Sequence, residues 1–258
     1  MSTRGVDWSM LRGPGGHVPE DERPRERKKR LMRRRLSDTA TEMFLERGFD
    51  AVRVAEIAEA CGVTEKTVYN YFPTKESLIL DLWDSTAASL GVLADPAVPP
   101  VRAALAILSD ELAALVSWLS AQDDPDRAAE LFLRFGALLR ATPALRAHQR
   151  DAVDRLVATA ARFLAGRAGA DHDAPEPHIA AIALVGLWQV QFRSLGRHLA
   201  AGLTSARLRG AVEADVRRAA AVLDDGIGSL GGCAETPERE RPERRAARDA
   251  GPVTPFRR

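Results

Sequence analysis

Five polar side chains lie close together in this 258-residue sequence, and their types are those that proteins use to contact nucleic acids. An asparagine amide can pair with adenine through two hydrogen bonds, a lysine ammonium can donate to guanine, and a glutamate can accept from the cytosine amino group. Threonine and tyrosine hydroxyls instead reach phosphate oxygens. The group therefore predicts a surface that contacts DNA, if one element turns all five outward: Glu65, Lys66, Thr67, Tyr69 and Asn70.

Two short amphipathic helices around a glycine turn would position these side chains. The stretch 54–72 reads VAEIAEACGVTEKTVYNYF, and Gly62 can supply the positive φ that ends the first helix. Thr64 can cap the second helix, and Val68 points back into the joint between them. Apolar residues at i, i+3, i+4 and i+7 give the first helix one buried face: Val54, Ile57, Ala58 and Cys61. The pattern predicts a helix-turn-helix.

A longer segment, from Leu36 to Leu82, resembles the DNA-binding domain of the TetR family of bacterial transcriptional regulators. It includes RGFDAVRVAEIAEACGVTEKTVYNYFPTKESL, with a phenylalanine after a glycine, Ile-Ala in the second helix, Gly-Val before the third, and then Tyr-x-Tyr-Phe-x-x-Lys-Glu. The resemblance implies an all-α fold. An N-terminal three-helix helix-turn-helix domain would precede a larger helical domain for ligand binding and dimerisation.

The resemblance also implies roles for individual residues when the second helix of the motif enters the major groove. Thr67, Tyr69 and Tyr71 would contact the phosphate backbone, and Lys75 would do so from the next turn. Either tyrosine could instead be a core aromatic, and Lys66 could be a solvated surface residue. Base readout falls to Glu65, Lys66 and Asn70 by their hydrogen-bonding chemistry. The predicted DNA-binding set is Arg53, Thr64, Glu65, Lys66, Thr67, Tyr69, Asn70, Tyr71 and Lys75.

Arg53 departs from the family pattern, in which a threonine or serine caps the second helix. A guanidinium cannot accept the hydrogen bond of a cap, so this helix is expected to lose about 0.5–2 kcal/mol. The arginine can still reach a phosphate.

Basic residues are concentrated just before the helix-turn-helix. The net charge is +1, yet 23–35 holds nine basic residues against Glu26 alone. A flexible cationic arm is predicted there, adding affinity for DNA, with a merely solvated charge run as the alternative. Its members are Arg25, Arg27, Lys28, Lys29 and Arg30.

Composition shifts divide the rest of the chain. Segments 1–23 and 231–258 are predicted to be disordered, 24–75 to be the DNA-binding domain, and 76–230 to be the helical regulatory and dimerisation domain. The first helix is expected to run from about Pro24 until Gly48, and a fourth to run from Thr74 toward Leu93. Further helices are predicted at 100–120, 126–141, 144–166, 177–200 and 206–225.

The regulatory domain offers two candidate surfaces. An apolar ligand pocket is predicted from aromatic and leucine side chains, which could equally be core: Trp118, Phe132, Phe135, Leu139, Trp188 and Phe192. The last two helices hold more apolar residues than one domain can bury, which predicts a dimer built as a four-helix bundle. Burial wholly inside the domain is the alternative for that stripe, which comprises Ile182, Leu208, Val212, Val216, Ala219 and Leu223.

The sequence shows no arrangement typical of an enzyme, a cofactor site or a metal site. No targeting signal is present and no run approaches a membrane span, which predicts a cytoplasmic protein. The favoured function is a homodimeric repressor that a small apolar ligand releases from a palindromic double-stranded operator. The alternative is an architectural or constitutive DNA-binding regulator without an effector.

Overall fold

The computed structural model describes residues 23–80, 83–171 and 173–225. Within these ranges it describes the side chains of all residues except 83–85 and 225. Within these ranges the chain is helical and contains no strand, which confirms the all-α prediction. Segments 1–22 and 226–258, including the predicted disordered tail, lie outside the described residues. The α-helices are α1 Pro24–Arg47, α2 Val54–Ala60, α3 Glu65–Tyr71, α4 Trp83–Ser89, α5 Pro100–Ser120, α6 Pro125–Ala141, α7 Pro143–Ala168, α8 Pro175–Ala200 and α9 Ser205–Asp225.

Helices α1, α2 and α3 enclose the first part of the core. Leu36, Ala40 and Phe44 of α1 are fully buried, and they pack in one cluster with Ile57 of α2 and Val68 of α3. Both glycine turns form as predicted: α1 ends at Gly48 with φ of 86°, and Gly62 in the α2–α3 turn has φ of 64°. The predicted helix-turn-helix is therefore present.

The prediction of one continuous fourth helix from Thr74 toward Leu93 is wrong. A 3₁₀ turn at Glu76–Leu78 follows α3, and α4 begins only at Trp83 and passes into a second 3₁₀ turn at Leu90–Ala94. Thr74 does cap, because its Oγ1 accepts from the Ser77 N–H at 3.2 Å. The break has a packing reason: Leu78 and Ile79 are both buried, and Ser37 of α1 donates to the Leu78 carbonyl at 2.7 Å.

Helices α5 to α9 form the larger helical part, and their bounds agree with the predicted helices within two residues. Contrary to the sequence-based expectation, α5 and α8 are each long and apolar enough to cross a membrane by length and composition alone. Of their most apolar windows, 39% and 44% are buried inside the protein. Helix α8 packs against α5, α7 and α9, so helix packing covers part of its apolar surface.

The predicted dimer stripe on α9 is largely wrong, because most of it is used inside the protomer. Leu208, Val212 and Val216 are 0–2% exposed, and α9 lies against α5 and α8. Ala219 and Leu223 are half-buried against the same core. Only Ile182 of the predicted set is exposed. The apolar face that seemed to need a partner protomer is covered by α5, whose contact with α9 the sequence pattern did not reveal.

An ion-paired cluster fastens α8 to α9. Asp215 of α9 accepts from Ser194 at 2.5 Å and lies 3.0 Å from His198 Nε2, and it also pairs with Arg197 and Arg218. These hydrogen bonds, that of Ser194 first, hold the pKa of the Asp215 carboxyl well below its usual range.

Candidate functional site

Helix α3 presents four of the nine predicted DNA-binding side chains to solvent. Glu65, Lys66 and Asn70 are exposed, and Tyr69 is 46% exposed although it is a large aromatic. Because nearly half of its side chain is exposed, Tyr69 is a surface residue and not a core aromatic. The face is continuous, because 65, 66, 69 and 70 follow helical spacing.

The other tyrosine has a different position. Tyr71 is half-buried against the hydrophobic core, and its carbonyl accepts from Arg33 Nη1 at 2.7 Å. The Arg33 guanidinium also lies 4.5 Å from the centroid of the Phe72 ring. Helix α1 thus braces the C-terminal end of α3, and Tyr71 combines a packing role with a partly exposed ring.

The N-terminus of α3 is capped as predicted. The Thr67 N–H donates to Thr64 Oγ1 at 3.2 Å, and the two threonine hydroxyls lie 2.9 Å apart. The two hydroxyls are therefore hydrogen-bonded to each other in the absence of DNA. Thr64 and Thr67 therefore fix the start of the helix that carries the exposed face.

Glu56 compensates for the missing cap at Arg53, and sequence reasoning overlooked it. The Arg53 side chain makes no cap hydrogen bond, but the Arg53 N–H donates to Glu56 Oε2 at 2.7 Å. Arg47 donates to the other carboxylate oxygen at 2.8 Å. The Arg53 N–H, followed by Arg47, lowers the pKa of Glu56 to about 2. The sequence did contain a signal for this contact, because Glu56 stands at the third position of α2, where a capping box places the residue that accepts from the N-cap N–H.

Lys75 lies against the core of the domain, which the sequence did not predict. Its Nζ donates to the Phe49 carbonyl at 2.6 Å and sits 4.3 Å from the Phe49 ring centroid and 5.6 Å from that of Phe44. Burial lowers the pKa of Lys75 from its ordinary value. The ammonium joins the segment after α3 to the end of α1, so this residue has a structural role whether or not it also contacts phosphate.

The predicted flexible arm is instead the first half of α1. Arg25, Arg27, Lys28 and Lys29 are exposed on this helix, and α1 becomes buried only from Leu36 onward. A row of cations near a helix N-terminus opposes the helix dipole, and only Glu26 offsets it. The basic cluster therefore lies on a helix, with its charges distributed around the helix circumference.

A cavity of about 530 Å³ opens between α6, α7 and α8. One part of its wall is apolar: Gly136, Leu139, Val153, Trp188 and Phe192. The other part is polar and charged: Arg140, Gln149, Arg150, Asp154, Gln189 and Arg193. Its size falls in the range of small-molecule sites.

Three of the six predicted pocket residues line this cavity, namely Leu139, Trp188 and Phe192. Phe132 does not line it but packs against Phe192 in a tilted arrangement, with ring centroids 5.7 Å apart. Phe135 is fully buried and Trp118 is 7% exposed, and neither lines the cavity. Helical spacing alone could not separate wall from core, since both sets recur on the inner faces of the same helices.

Trp188 links the cavity to α4. Its indole N–H donates to Glu111 Oε2 of α5 at 2.8 Å, and the Thr86 hydroxyl of α4 donates to Glu111 Oε1 at 2.9 Å. Burial raises the pKa of the Glu111 carboxyl, and the two hydrogen bonds oppose that rise. One buried carboxyl group thus holds α4, α5 and α8 together.

A second link joins α6 to the DNA-binding domain. Arg134 Nη2 of α6 donates to the Leu45 carbonyl, in the last turn of α1, at 2.7 Å. Arg134 lies two residues before Gly136, which lines the cavity on the same helix. Within the described ranges no group of three or more metal-ligating side chains comes together.

Comparison with known proteins identifies the region that contains the helix-turn-helix. Residues 36–82 match the family model described as bacterial regulatory proteins, tetR family. The chain is 45% identical over 58 residues to the HTH-type transcriptional regulator LuxR of Vibrio harveyi, covering 22% of this chain and 28% of that protein. It is 30% identical over 96 residues to the HTH-type transcriptional repressor DhaR of Mycobacterium sp. strain GP1, covering 35% and 46%.

The matched segments span less than half the length of these curated relatives. Among solved structures, a TetR-family regulator from Streptomyces coelicolor A3 is 23% identical with a TM-score of 0.42, covering 79% of this chain and 99% of that one. The match to the family model falls on the segment that contains the second half of α1 and all of α2 and α3, including the exposed face of α3. The chain therefore carries the helix-turn-helix DNA-binding domain of the TetR family of bacterial regulatory proteins.

Proposed function

We propose that this chain is a cytoplasmic, homodimeric transcriptional repressor that a small molecule releases from a palindromic operator. The observation that carries the proposal is a pair of hydrogen-bonded links from the cavity walls, one to α1 of the DNA-binding domain and one to α4, which follows that domain. Through them, a molecule that moves α6 or α8 also moves α1 or α4. The exposed α3 face supplies the DNA-binding half of this function, and the DhaR relative is itself named a transcriptional repressor.

The first link runs through α4, which precedes the helical part and follows the helix-turn-helix. Trp188 lines the cavity and donates to Glu111, and Glu111 accepts from Thr86 of α4. A ligand that displaces the indole removes one partner from a buried carboxyl group, which costs free energy unless Thr86 or α4 moves as well. Ligand binding and the position of α4 are therefore coupled.

The second link is shorter. Arg134 bonds to the Leu45 carbonyl, while Gly136 and Leu139 of the same helix line the cavity. Because a helix moves as a unit, widening the cavity at α6 would pull on the last turn of α1. That turn lies near Phe49 and Lys75, which fix the position of the segment after α3.

Dimerisation is proposed on the exposed side of α8 rather than on the α9 stripe. Ile179 and Ile182 are 64% and 45% exposed and are three residues apart, so they share one face. Two exposed isoleucines at helical spacing favour contact with a second copy. A two-fold dimer would place two α3 helices on successive major-groove segments of one operator.

The proposal is tested by measuring operator affinity with and without an effector found by screening. Wild-type protein is expected to lose affinity when the effector is added, with a coupling of about 1–3 kcal/mol. Arg134→Gln is expected to retain operator binding but to respond less to the effector, whereas the exposed α7 variant Arg146→Gln should behave as wild type.

A regulator without an effector predicts another outcome. If no compound that binds the protein changes operator affinity, and Arg134→Gln changes nothing, the constitutive alternative replaces the proposal.

A further inference from the structure

We infer that the cavity between α6, α7 and α8 binds an amphipathic anion, a molecule with an apolar body and one carboxylate or similar acidic group. The inference rests on the proposed function in that it specifies the chemical class of the effector. It replaces the expectation of a purely apolar ligand, and it follows from how charge and apolar surface are divided on the cavity wall.

The apolar part of the wall is held in place before any ligand binds. The Phe192 ring packs against Phe132 in a tilted arrangement, with ring centroids 5.7 Å apart, and the Trp188 indole N–H already donates to Glu111. With its N–H occupied, Trp188 offers the cavity only apolar and π surface. Together with Leu139 and Val153, these rings form an apolar floor that suits a hydrocarbon or aromatic body.

The charged part of the wall is strongly biased toward cations. Arg140, Arg150 and Arg193 come from three different helices and all border this cavity, against the single carboxylate of Asp154. Three guanidinium groups and one carboxylate leave an excess of positive charge at the opening. Gln149 and Gln189 add amide groups that can donate to an acid.

Ion pairs among the described residues do not neutralise these charged side chains. Arg150 and Asp154 are four residues apart on α7, a spacing that commonly gives an ion pair. Across the described residues, however, neither has an ion-pair partner within the 4.0 Å limit for N···O pairs, and the same holds for Arg140 and Arg193. By contrast, Arg209 and Arg217 on α9 both pair with Glu213 at 2.8 Å. The cavity arginines are therefore available to a ligand.

The position of Gly136 supports an anion-binding role for Arg140. A Cβ at that residue would lie 3.2 Å from Arg140 Nη1, so the guanidinium folds back over the glycine on the cavity wall. The absence of a side chain at 136 leaves room for the cation beside the apolar floor. A guanidinium so placed can form two parallel hydrogen bonds with a carboxylate, which is the strong geometry for this pair.

Isothermal titration of the full chain with matched pairs of probes tests the inference directly. The probes are 4-phenylbutyrate and decanoate, each beside its uncharged primary amide, so that only the charge differs within a pair. The carboxylates are expected to bind about tenfold or more tightly than their amides, as charge-assisted hydrogen bonds to arginine would give. Arg150→Gln and Arg193→Gln should reduce that preference, while the control Arg146→Gln should keep it.

Three results would overturn the inference. One is amides that bind as tightly as their carboxylates, another is no saturable binding of any probe, and the third is an equal loss in Arg146→Gln. Operator affinity, measured on the same preparations, separates this inference from the proposed function. A carboxylate that binds in an Arg193-dependent manner and leaves operator affinity unchanged supports the ligand class and refutes the effector role. Failure to bind any operator refutes the proposed function without altering the titration result.

Discussion

At the scale of single residues, Asn70 and Tyr69 have the clearest assignments on α3. Both are exposed on the same face. Asn70→Ala is expected to relax preference at one base pair, by about 1–3 kcal/mol of discrimination. Tyr69→Phe should weaken binding to all sequences about equally, as loss of a phosphate contact does. Binding to a set of single-base operator variants measures both effects, and unchanged specificity in Asn70→Ala would move base readout to Lys66 or Glu65.

Lys75 is expected to act on stability. Lys75→Met keeps the apolar stem but removes the hydrogen bond to the Phe49 carbonyl and the contact with two aromatic rings. The free energy of unfolding should fall by about 1–3 kcal/mol, the usual worth of a hydrogen bond from a charged group. Urea unfolding checks this, with the exposed Lys66→Met as a control. A variant with wild-type stability and weakened DNA binding would restore the phosphate role.

Glu111 gives a prediction with a definite pH dependence. Burial raises its pKa in the folded state above the ordinary 4.5, so ionisation of this group at neutral pH opposes folding. Glu111→Gln removes the charge, and a glutamine can still accept from Trp188 and donate to Thr86. We expect a higher Tm than wild type at pH 7, with the difference shrinking toward zero below about pH 4.5, where both states are protonated. A lower Tm at pH 7 would show that the charge itself is needed.

At the scale of elements, the helix-turn-helix and α5 to α9 could be predicted from periodicity, capping residues and turn signals. Thr64, Gly48 and Gly62 all do what their types predict. The break between the 3₁₀ turn and α4 could not, because it depends on Leu78 and Ile79 being drawn into the core by contacts with α1. Local sequence favoured a continuous helix, and tertiary packing prevailed.

The basic half of α1 leads to a prediction about salt. Its cations are exposed around the first turns of a helix, and each one that neutralises a phosphate releases counterions. Lys28→Gln with Lys29→Gln should lower DNA affinity without changing base preference and reduce the slope of log affinity against log salt by about 1 per lost contact. Fluorescence anisotropy over a salt series measures the slope. A slope equal to that of wild type would make these lysines a solvated charge run.

In the whole molecule, sequence patterns predicted the helices but not which faces of those helices pack against each other. The α9 stripe was assigned to a partner protomer because no single-chain pattern shows that α5 packs against it. Three of the six predicted pocket residues do not line the cavity, because periodicity cannot separate core from wall: Phe132 and Phe135 share the helical spacing of the residues that do line it. The links through Glu111 and Arg134 join residues 25 to 89 positions apart, which periodicity cannot detect.

Oligomeric state tests the revised interface. Ile182→Asp should convert the proposed dimer to a monomer with unchanged helical content, because Ile182 is 45% exposed and contributes little to the protomer core. Val92→Asp, at an exposed valine of the second 3₁₀ turn, should leave the dimer intact. Light scattering with circular dichroism separates dissociation from unfolding. A dimer that persists in Ile182→Asp would exclude this face of α8 from the interface.

The central claim is that two α3 helices of one dimer read a specific operator. Selection of bound genomic fragments by the purified full chain, followed by sequencing, tests it most directly. We expect a palindromic motif with half-sites about one helical turn apart, and we expect it to be lost when Asn70 and Tyr69 are both replaced by alanine. Diffuse, salt-sensitive binding with no motif, unchanged in that double variant, would contradict it.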